Sequence, residues 1–225
     1  MAETCIIFDC DGVLVDSELI AARVAAACFT EAGASIDAAE MLDRFAGVAA
    51  ATVTKTIFAE RGLPVPANAT ELRRAAIMTA FETELRATDG ADEALSRIHA
   101  AKCVASSSHP DRIAQSLRLT GLDRHFGDAI FSVLSVPQGK PAPDLFLYAA
   151  RAMNAEPVHC IVVEDSVAGV RAGKAAGMAV IGFVGGSHCR PDHHRRLLDA
   201  GADRIARHMS ELPEIIVFER ATRRF

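Results

Sequence analysis

Thr4-Cys5-Ile6-Ile7-Phe8-Asp9-Cys10-Asp11-Gly12-Val13 decides how this chain is to be read. Its first half is a short apolar run without polar alternation, the pattern of a strand buried on both faces of a parallel sheet. Its second half sets two carboxylates one residue apart on a sharp glycine turn, just where such a strand would end. Similar runs follow at Lys102-Cys103-Val104-Ala105, Ala129-Ile130-Phe131, Cys160-Ile161-Val162-Val163 and Ala179-Val180-Ile181-Gly182-Phe183. Between them lie segments of helical composition at 92–101, 110–119, 143–153 and 166–176. Strand and helix alternate, so the expected fold class is α/β, a doubly wound, mainly parallel sheet.

Residues 17–87 break that rhythm. They hold some 71 residues without a convincing strand. Helix-like segments near 17–32, 37–45, 50–61 and 69–87 are separated at Gly33, at Gly47 and at Gly62-Leu63-Pro64-Val65-Pro66. The expected organisation is a core domain from 1–16 and 88–225, about 154 residues, interrupted by a helical cap at 17–87.

Composition excludes several function classes. Half of the 225 residues are apolar, and 29 acidic against 24 basic residues leave a net charge of −5. Basic residues gather only at His193-His194-Arg195-Arg196 and at Arg220, Arg223 and Arg224, so neither nucleic acid nor an anionic membrane is an expected partner. No apolar stretch approaches the roughly 18 residues of a membrane span. Met1-Ala2-Glu3-Thr4 shows no signal-peptide pattern. The six cysteines form no CxxC pair, and Cys5, Cys103 and Cys160 fall in or beside buried-strand patterns. A cytoplasmic monomer is the expectation.

In a parallel sheet, ligands bind outside the carboxyl ends of the strands. Here those ends carry Asp9, Cys10, Asp11 and Gly12; then Ser106, Ser107 and Ser108; then, after a loop, Lys140 in Gly139-Lys140-Pro141-Ala142-Pro143-Asp144; then Glu164-Asp165-Ser166. Carboxylates at Asp9, Asp11, Glu164 and Asp165 would repel one another unless a cation lay among them. Hard oxygen donors suit Mg²⁺, which keeps several waters and usually bridges to phosphate. Ser106 can donate to a phosphate oxygen, Lys140 adds a positive point charge, and the turn through Cys10, Asp11 and Gly12 can aim backbone N–H groups at an anion. Together these groups suit phosphoryl transfer.

These four motifs, in this order and with a helical insertion after the first, resemble the haloacid dehalogenase superfamily of phosphohydrolases. The branch most resembled contains β-phosphoglucomutase and small sugar-phosphate phosphatases. The resemblance implies catalytic roles for Asp9, Asp11 and Lys140. Asp9 would be the nucleophile that forms an aspartyl-phosphate, and Asp11 the acid and base. It further implies phosphate binding by Cys10, Asp11, Gly12, Ser106, Ser107 and Lys140. Mg²⁺ would be held by Asp9, the Asp11 carbonyl and Asp165, with Glu164 close by or acting through water.

Asp11 argues against a dehalogenase, and the absence of lysine from Asp16-Ser17-Glu18-Leu19-Ile20-Ala21-Ala22 argues against phosphonate cleavage. Gly47-Val48 is followed by Ala49-Ala50-Ala51 where mutases place an arginine, and Ala21 stands where they carry histidine. The expected function is therefore Mg²⁺-dependent hydrolysis of a small phosphate ester. A mutase and a noncatalytic sugar-phosphate sensor are the alternatives. Asp-Cys-Asp-Gly-Val-Leu-Val-Asp-Ser-Glu and Val-Glu-Asp-Ser-Val-Ala-Gly look similar to bacterial 6-phosphogluconate phosphatases, which implies a phosphorylated sugar or sugar acid. Candidate cap contacts are Arg44, Gly47, Thr52, Lys55 and Arg74.

Each group also has a plainer structural role open to it. Asp9 and Asp11 can shape a turn, Ser107 and Ser108 can cap the helix entered at Pro110, and Glu164 or Asp165 can cap the helix near Ser166. Ser187-His188-Cys189-Arg190-Pro191-Asp192-His193-His194 carries zinc-type ligands, but it lacks a second cysteine pair and reads as a solvated loop.

Overall fold

The opening run forms β1 (Cys5–Phe8), and the insertion that follows contributes α1 (Glu18–Glu31), α2 (Ala38–Phe45), α3 (Ala50–Glu60) and α4 (Ala69–Glu84). The chain then alternates through α5 (Ala91–Arg97), β2 (Ala101–Ser106), α6 (Pro110–Thr120), β3 (Ile130–Ser132), α7 (Asp144–Ala152), β4 (Cys160–Glu164) and α8 (Val167–Ala175). It closes with β5 (Ala179–Phe183), α9 (His193–Asp199), β6 (Arg204–Ala206) and α10 (Leu212–Thr222). This computed structural model describes residues 4–45 and 47–222; Met1-Ala2-Glu3 and the tail residues Arg223 and Arg224 lie outside them.

The sheet has six parallel strands in the order β3-β2-β1-β4-β5-β6. The chain reverses its direction of winding between β1 and β4, and a crevice opens outside the carboxyl ends at such a switch point. Register sets what lines it. Phe8 pairs with both Val104 and Val163, so Asp9 emerges level with the last residues of β2 and β4. The apolar runs are explained by burial on two sides. Ile6 and Phe8 belong to the cluster on one face, with Leu95, Ile113 and Leu117, while Cys5 and Ile7 join Leu145, Phe146 and Val170 on the other.

α1 packs on α2 and α4, and α3 on α4. Ala22, Ala25 and Ala26 let α1 lie close to its neighbours, around a separate apolar cluster with Phe29, Met41, Ile57 and Phe58. The boundary of this helical block is less clean than the expected 17–87. α4 stops at Glu84, and Ala21, Ile77, Phe81 and Leu85 pack into the cluster of the sheet. The two connecting segments run side by side. Asp16 N donates to Arg86 O at 3.0 Å and Thr88 N to Leu14 O at 3.0 Å, with Val15 bridged to both Ala87 and Asp11.

Two further expectations are corrected. The helix after β2 is capped by neither Ser107 nor Ser108: His109 accepts from Asp111 N, with Pro110 in the first turn. The helix after β4 is capped by neither Glu164 nor Asp165, because Ser166 Oγ accepts from Gly169 N at 3.0 Å. α9, β6 and α10 extend the alternation beyond the segments expected from the sequence. Among the described residues no helix is long and apolar enough to cross a membrane.

Candidate active site

β1 delivers Asp9 to the crevice, and a fully buried lysine meets it there. Lys140 Nζ donates to Asp9 Oδ1 at 2.6 Å, to Glu164 Oε1 at 2.6 Å and to Ala105 O at 3.1 Å, and lies 4.9 Å from the centre of the Phe146 ring. All three hydrogens of the ammonium are thus directed. Burial opposes its charge, but Asp9 and Glu164 more than compensate and hold the lysine protonated. Glu164 is committed at both oxygens, since Oε2 accepts from Ser166 N at 2.8 Å and from Ser166 Oγ at 2.9 Å. That double engagement makes Glu164 the anchor of Lys140. Helix α8 approaches so closely that a Cβ on Gly169 would lie 1.8 Å from Glu164 Oε1.

Asp11 stands two residues on, beyond the turn. Its Oδ1 accepts from Ser17 Oγ at 2.7 Å and from Arg112 Nη2 at 2.6 Å, and its Oδ2 from Ser108 Oγ at 2.5 Å. Burial by itself raises a carboxyl, but Arg112 and the two hydroxyls outweigh it here and hold Asp11 below the usual range. Asp9 moves the opposite way. Burial raises it well above the ordinary value, Lys140 works against that, and Glu164, Asp165 and Asp11 add to it. One ammonium serving a crowd of carboxylates is a donor set suited to a hard divalent cation, which would relieve the repulsion. Asp9, Asp165 and the backbone of Asp11 fit that role.

Asp165 occupies the other lip. Gly12, at φ 78°, passes so near that a Cβ there would lie 2.0 Å from Asp165 Oδ2. Ser106 is buried at the end of β2, with Oγ accepting from Ser108 N at 3.1 Å, and Ser107 Oγ is buried without a hydrogen-bond partner. Asp9, Asp11, Ser106, Ser107 and Asp165 all open on one cavity of about 470 Å³ between the sheet and the helical block. Its far wall is mostly apolar, formed by residues such as Met41, Phe45, Val48 and Ile77.

The cap candidates divide. Gly47 and Arg74 line this cavity, whereas Arg44, Thr52 and Lys55 do not. Arg44 is paired with Glu40 at 2.6 Å and with Glu60, and borders a smaller cavity of about 240 Å³. Thr52 and Lys55 lie on the exposed face of α3.

Sequence reasoning missed Glu18, Arg73 and Arg112, all of which line the main cavity. Burial, then Asp11 and Asp165, raises Glu18 to about 7. The segment 187–194 is not wholly the solvated loop its composition suggests. Instead His193 opens α9, is buried and sits 2.6 Å from Asp165 O, and His188 Nε2 lies 3.0 Å from Asp165 Oδ2. Burial opposes a charge on His188, but Asp165 beside it raises the imidazole to about 11.

A doubly wound sheet with a crevice at its switch point is a fold shared by many functions, and the comparisons with known proteins supply the class. The family model for haloacid dehalogenase-like hydrolases matches residues 4–177, and the chain belongs to that family. It is 36% identical over 211 residues to 6-phosphogluconate phosphatase of Escherichia coli (strain K12), with 93% of each chain covered. A solved haloacid dehalogenase-like protein of unknown function from Agrobacterium tumefaciens is 39% identical, with a TM-score of 0.82 over 96% of this chain and 99% of that one. A family hydrolase from Deinococcus radiodurans R1, solved with bound phosphate and sodium, is 31% identical, with a TM-score of 0.74 over 98% and 97%. The expected family and fold hold, and the chain is a phosphoric monoester hydrolase.

Proposed function

We propose that this enzyme is a Mg²⁺-dependent phosphatase of a small phosphorylated sugar or sugar acid, working through an aspartyl-phosphate on Asp9. The observation that carries it is the buried Asp9–Lys140–Glu164 chain opening, beside Asp11, onto one cavity. The likeness to a 6-phosphogluconate phosphatase supports the substrate class.

Lys140 holds Asp9 Oδ1, and among the described residues no hydrogen bond is made to Oδ2. That oxygen attacks phosphorus, and the ester oxygen departs with a proton from Asp11. Asp11 then takes a proton from the water that hydrolyses the acyl-phosphate, so the acid returns to its starting state. Arg112 and Ser108 favour the ionised form of Asp11, which is the base; its service as acid requires Arg112 to loosen. Asp9, Asp165 and the Asp11 carbonyl would hold the ion, whose positive charge stabilises the transferring phosphoryl group. Ser106, Ser107 and the backbone of Cys10, Asp11 and Gly12 surround the phosphate. Closure of the helical block excludes bulk water. A cytoplasmic monomer is part of the same proposal and rests on the composition and on six free cysteines.

The test is phosphate release from a panel of sugar phosphates. Release is expected with Mg²⁺, should stop with EDTA, and should vanish in a folded Asp9→Asn variant. Turnover by Asp9→Asn, or conversion of a hexose 1-phosphate to its 6-phosphate without phosphate release, would overturn the assignment.

A further inference from the structure

Two arginines on the cavity wall carry N–H groups that no hydrogen bond satisfies. Arg73, on α4, is only 5% exposed; its Nη2 donates to Ala50 O at 2.8 Å, and its guanidinium lies 4.8 Å from the centre of the Phe29 ring. Its Nη1 is buried without a partner. Among the described residues no carboxylate forms an ion pair with Arg73. Arg112, on α6, gives Nη2 to Asp11 and lies 5.1 Å from the centre of the Phe81 ring, but its Nε is likewise buried and unpartnered. The neighbouring Arg74 differs, being paired with Asp111 at 3.2 Å.

Holding the Ala50 carbonyl uses one donor of a guanidinium that has five, and a neutral side chain could do as much. A buried cation without a counter-charge is costly, and unsatisfied donors add to that cost. Burial first, and the charge of Arg112 second, bring Arg73 down to about 10. An anion lying against both groups would relieve both defects at once. Planar, forked guanidinium donors match a carboxylate well.

We propose that Arg73 and Arg112 form a second anion subsite, which receives the carboxylate at the end of the substrate remote from its phosphate. The enzyme then selects phosphorylated sugar acids over neutral sugar phosphates of the same size. This inference rests on the phosphatase proposal for its turnover test, but not for its binding test. Both side chains line the cavity, while the unpartnered N–H groups are shielded from water. The subsite is therefore completed as the helical block, carrying Arg73, shifts against α6, carrying Arg112.

The experiment compares 6-phosphogluconate with glucitol 6-phosphate, which replaces the carboxylate by a CH₂OH group. In Arg73→Gln, kcat/KM for the acid should fall about ten- to a hundredfold, the range for losing a hydrogen bond between charged partners. The values for glucitol 6-phosphate and 4-nitrophenyl phosphate should stay near those of the unsubstituted enzyme. Arg73→Lys should recover part of the loss, and Arg118→Gln, at an exposed residue of α6 outside the cavity, should leave the acid-to-neutral ratio unchanged. Calorimetric binding of the acid to Asp9→Asn, with and without Arg73→Gln, reads the subsite independently of turnover. An equal loss for acid and neutral substrate, or no preference for the acid, overturns the subsite. An inert enzyme that still binds the acid through Arg73 would instead refute the phosphatase proposal and leave the subsite standing.

Discussion

Replacing Lys140 by methionine keeps an unbranched chain of similar length and deletes one buried charge. Lys140 is 5% exposed, and its ammonium holds Asp9 and Glu164 at 2.6 Å each. Removing one partner of a buried pair costs about 3–5 kcal/mol, because the remaining charge stays desolvated and unmatched. Two carboxylates are stranded here, so the upper part of that range applies. Typical domains have about 5–15 kcal/mol in all, so the variant should fold but melt early. The sign of the pH dependence follows from the carboxylates left behind. Burial already raises Asp9, and losing the ammonium that opposes this raises it further above its unfolded value of roughly 3.9, so the folded variant binds more protons than the folded unsubstituted protein. The stabilisation this gives is complete below the unfolded value and is lost as pH rises through the folded one. Urea titrations at pH 4.5 and at pH 8 measure both stabilities. The gap between Lys140→Met and the unsubstituted protein should be large at pH 8 and much smaller at pH 4.5. A gap that is absent at pH 8, or equal at both values, refutes this account of the buried chain.

Three other substitutions probe separate features. Gly12→Ala places a methyl 2.0 Å from Asp165 Oδ2 at φ 78°, so steady-state assays should find phosphate release all but abolished. Ser166→Ala removes both the cap of α8 and a hydrogen bond to Glu164; chemical denaturation should show a loss of about 1–2 kcal/mol. Phe58→Ala empties the middle of the block's own apolar cluster, and the same measurement should show about 3–5 kcal/mol. An unchanged denaturation midpoint for Phe58→Ala would mean that this cluster contributes nothing to the measured transition.

The strand ends were legible in the sequence because a strand buried on both faces needs a continuous apolar run, and polarity returns abruptly where the sheet stops. Cys160–Val163 followed by Glu164-Asp165 shows this plainly. β6 escaped notice because Arg204–Ala206 is a three-residue edge strand whose first residue is exposed. α9 was hidden because His193-His194-Arg195-Arg196 looks like a solvated charge cluster, although His193 and Leu197 share the buried face. Arg112 lies 101 residues from Asp11, a separation that spacing alone cannot bridge. Its position just inside α6, after Ser106-Ser107-Ser108, was the available signal. For Thr52 and Lys55 the helical period offered a warning: Val53, Ile57 and Phe58 define the buried face of α3, and both candidates fall opposite it.

Asp11, Leu14, Val15, Asp16, Arg86, Ala87 and Thr88 are stitched into one short ribbon at the root of the helical block. In the proposed mechanism the acid–base group, Asp11, is therefore part of the segment that joins the block to the sheet. Any rotation of the block about this ribbon would twist the backbone a few residues from the Asp11 carboxylate and would displace Ser17, one of its hydrogen-bond donors.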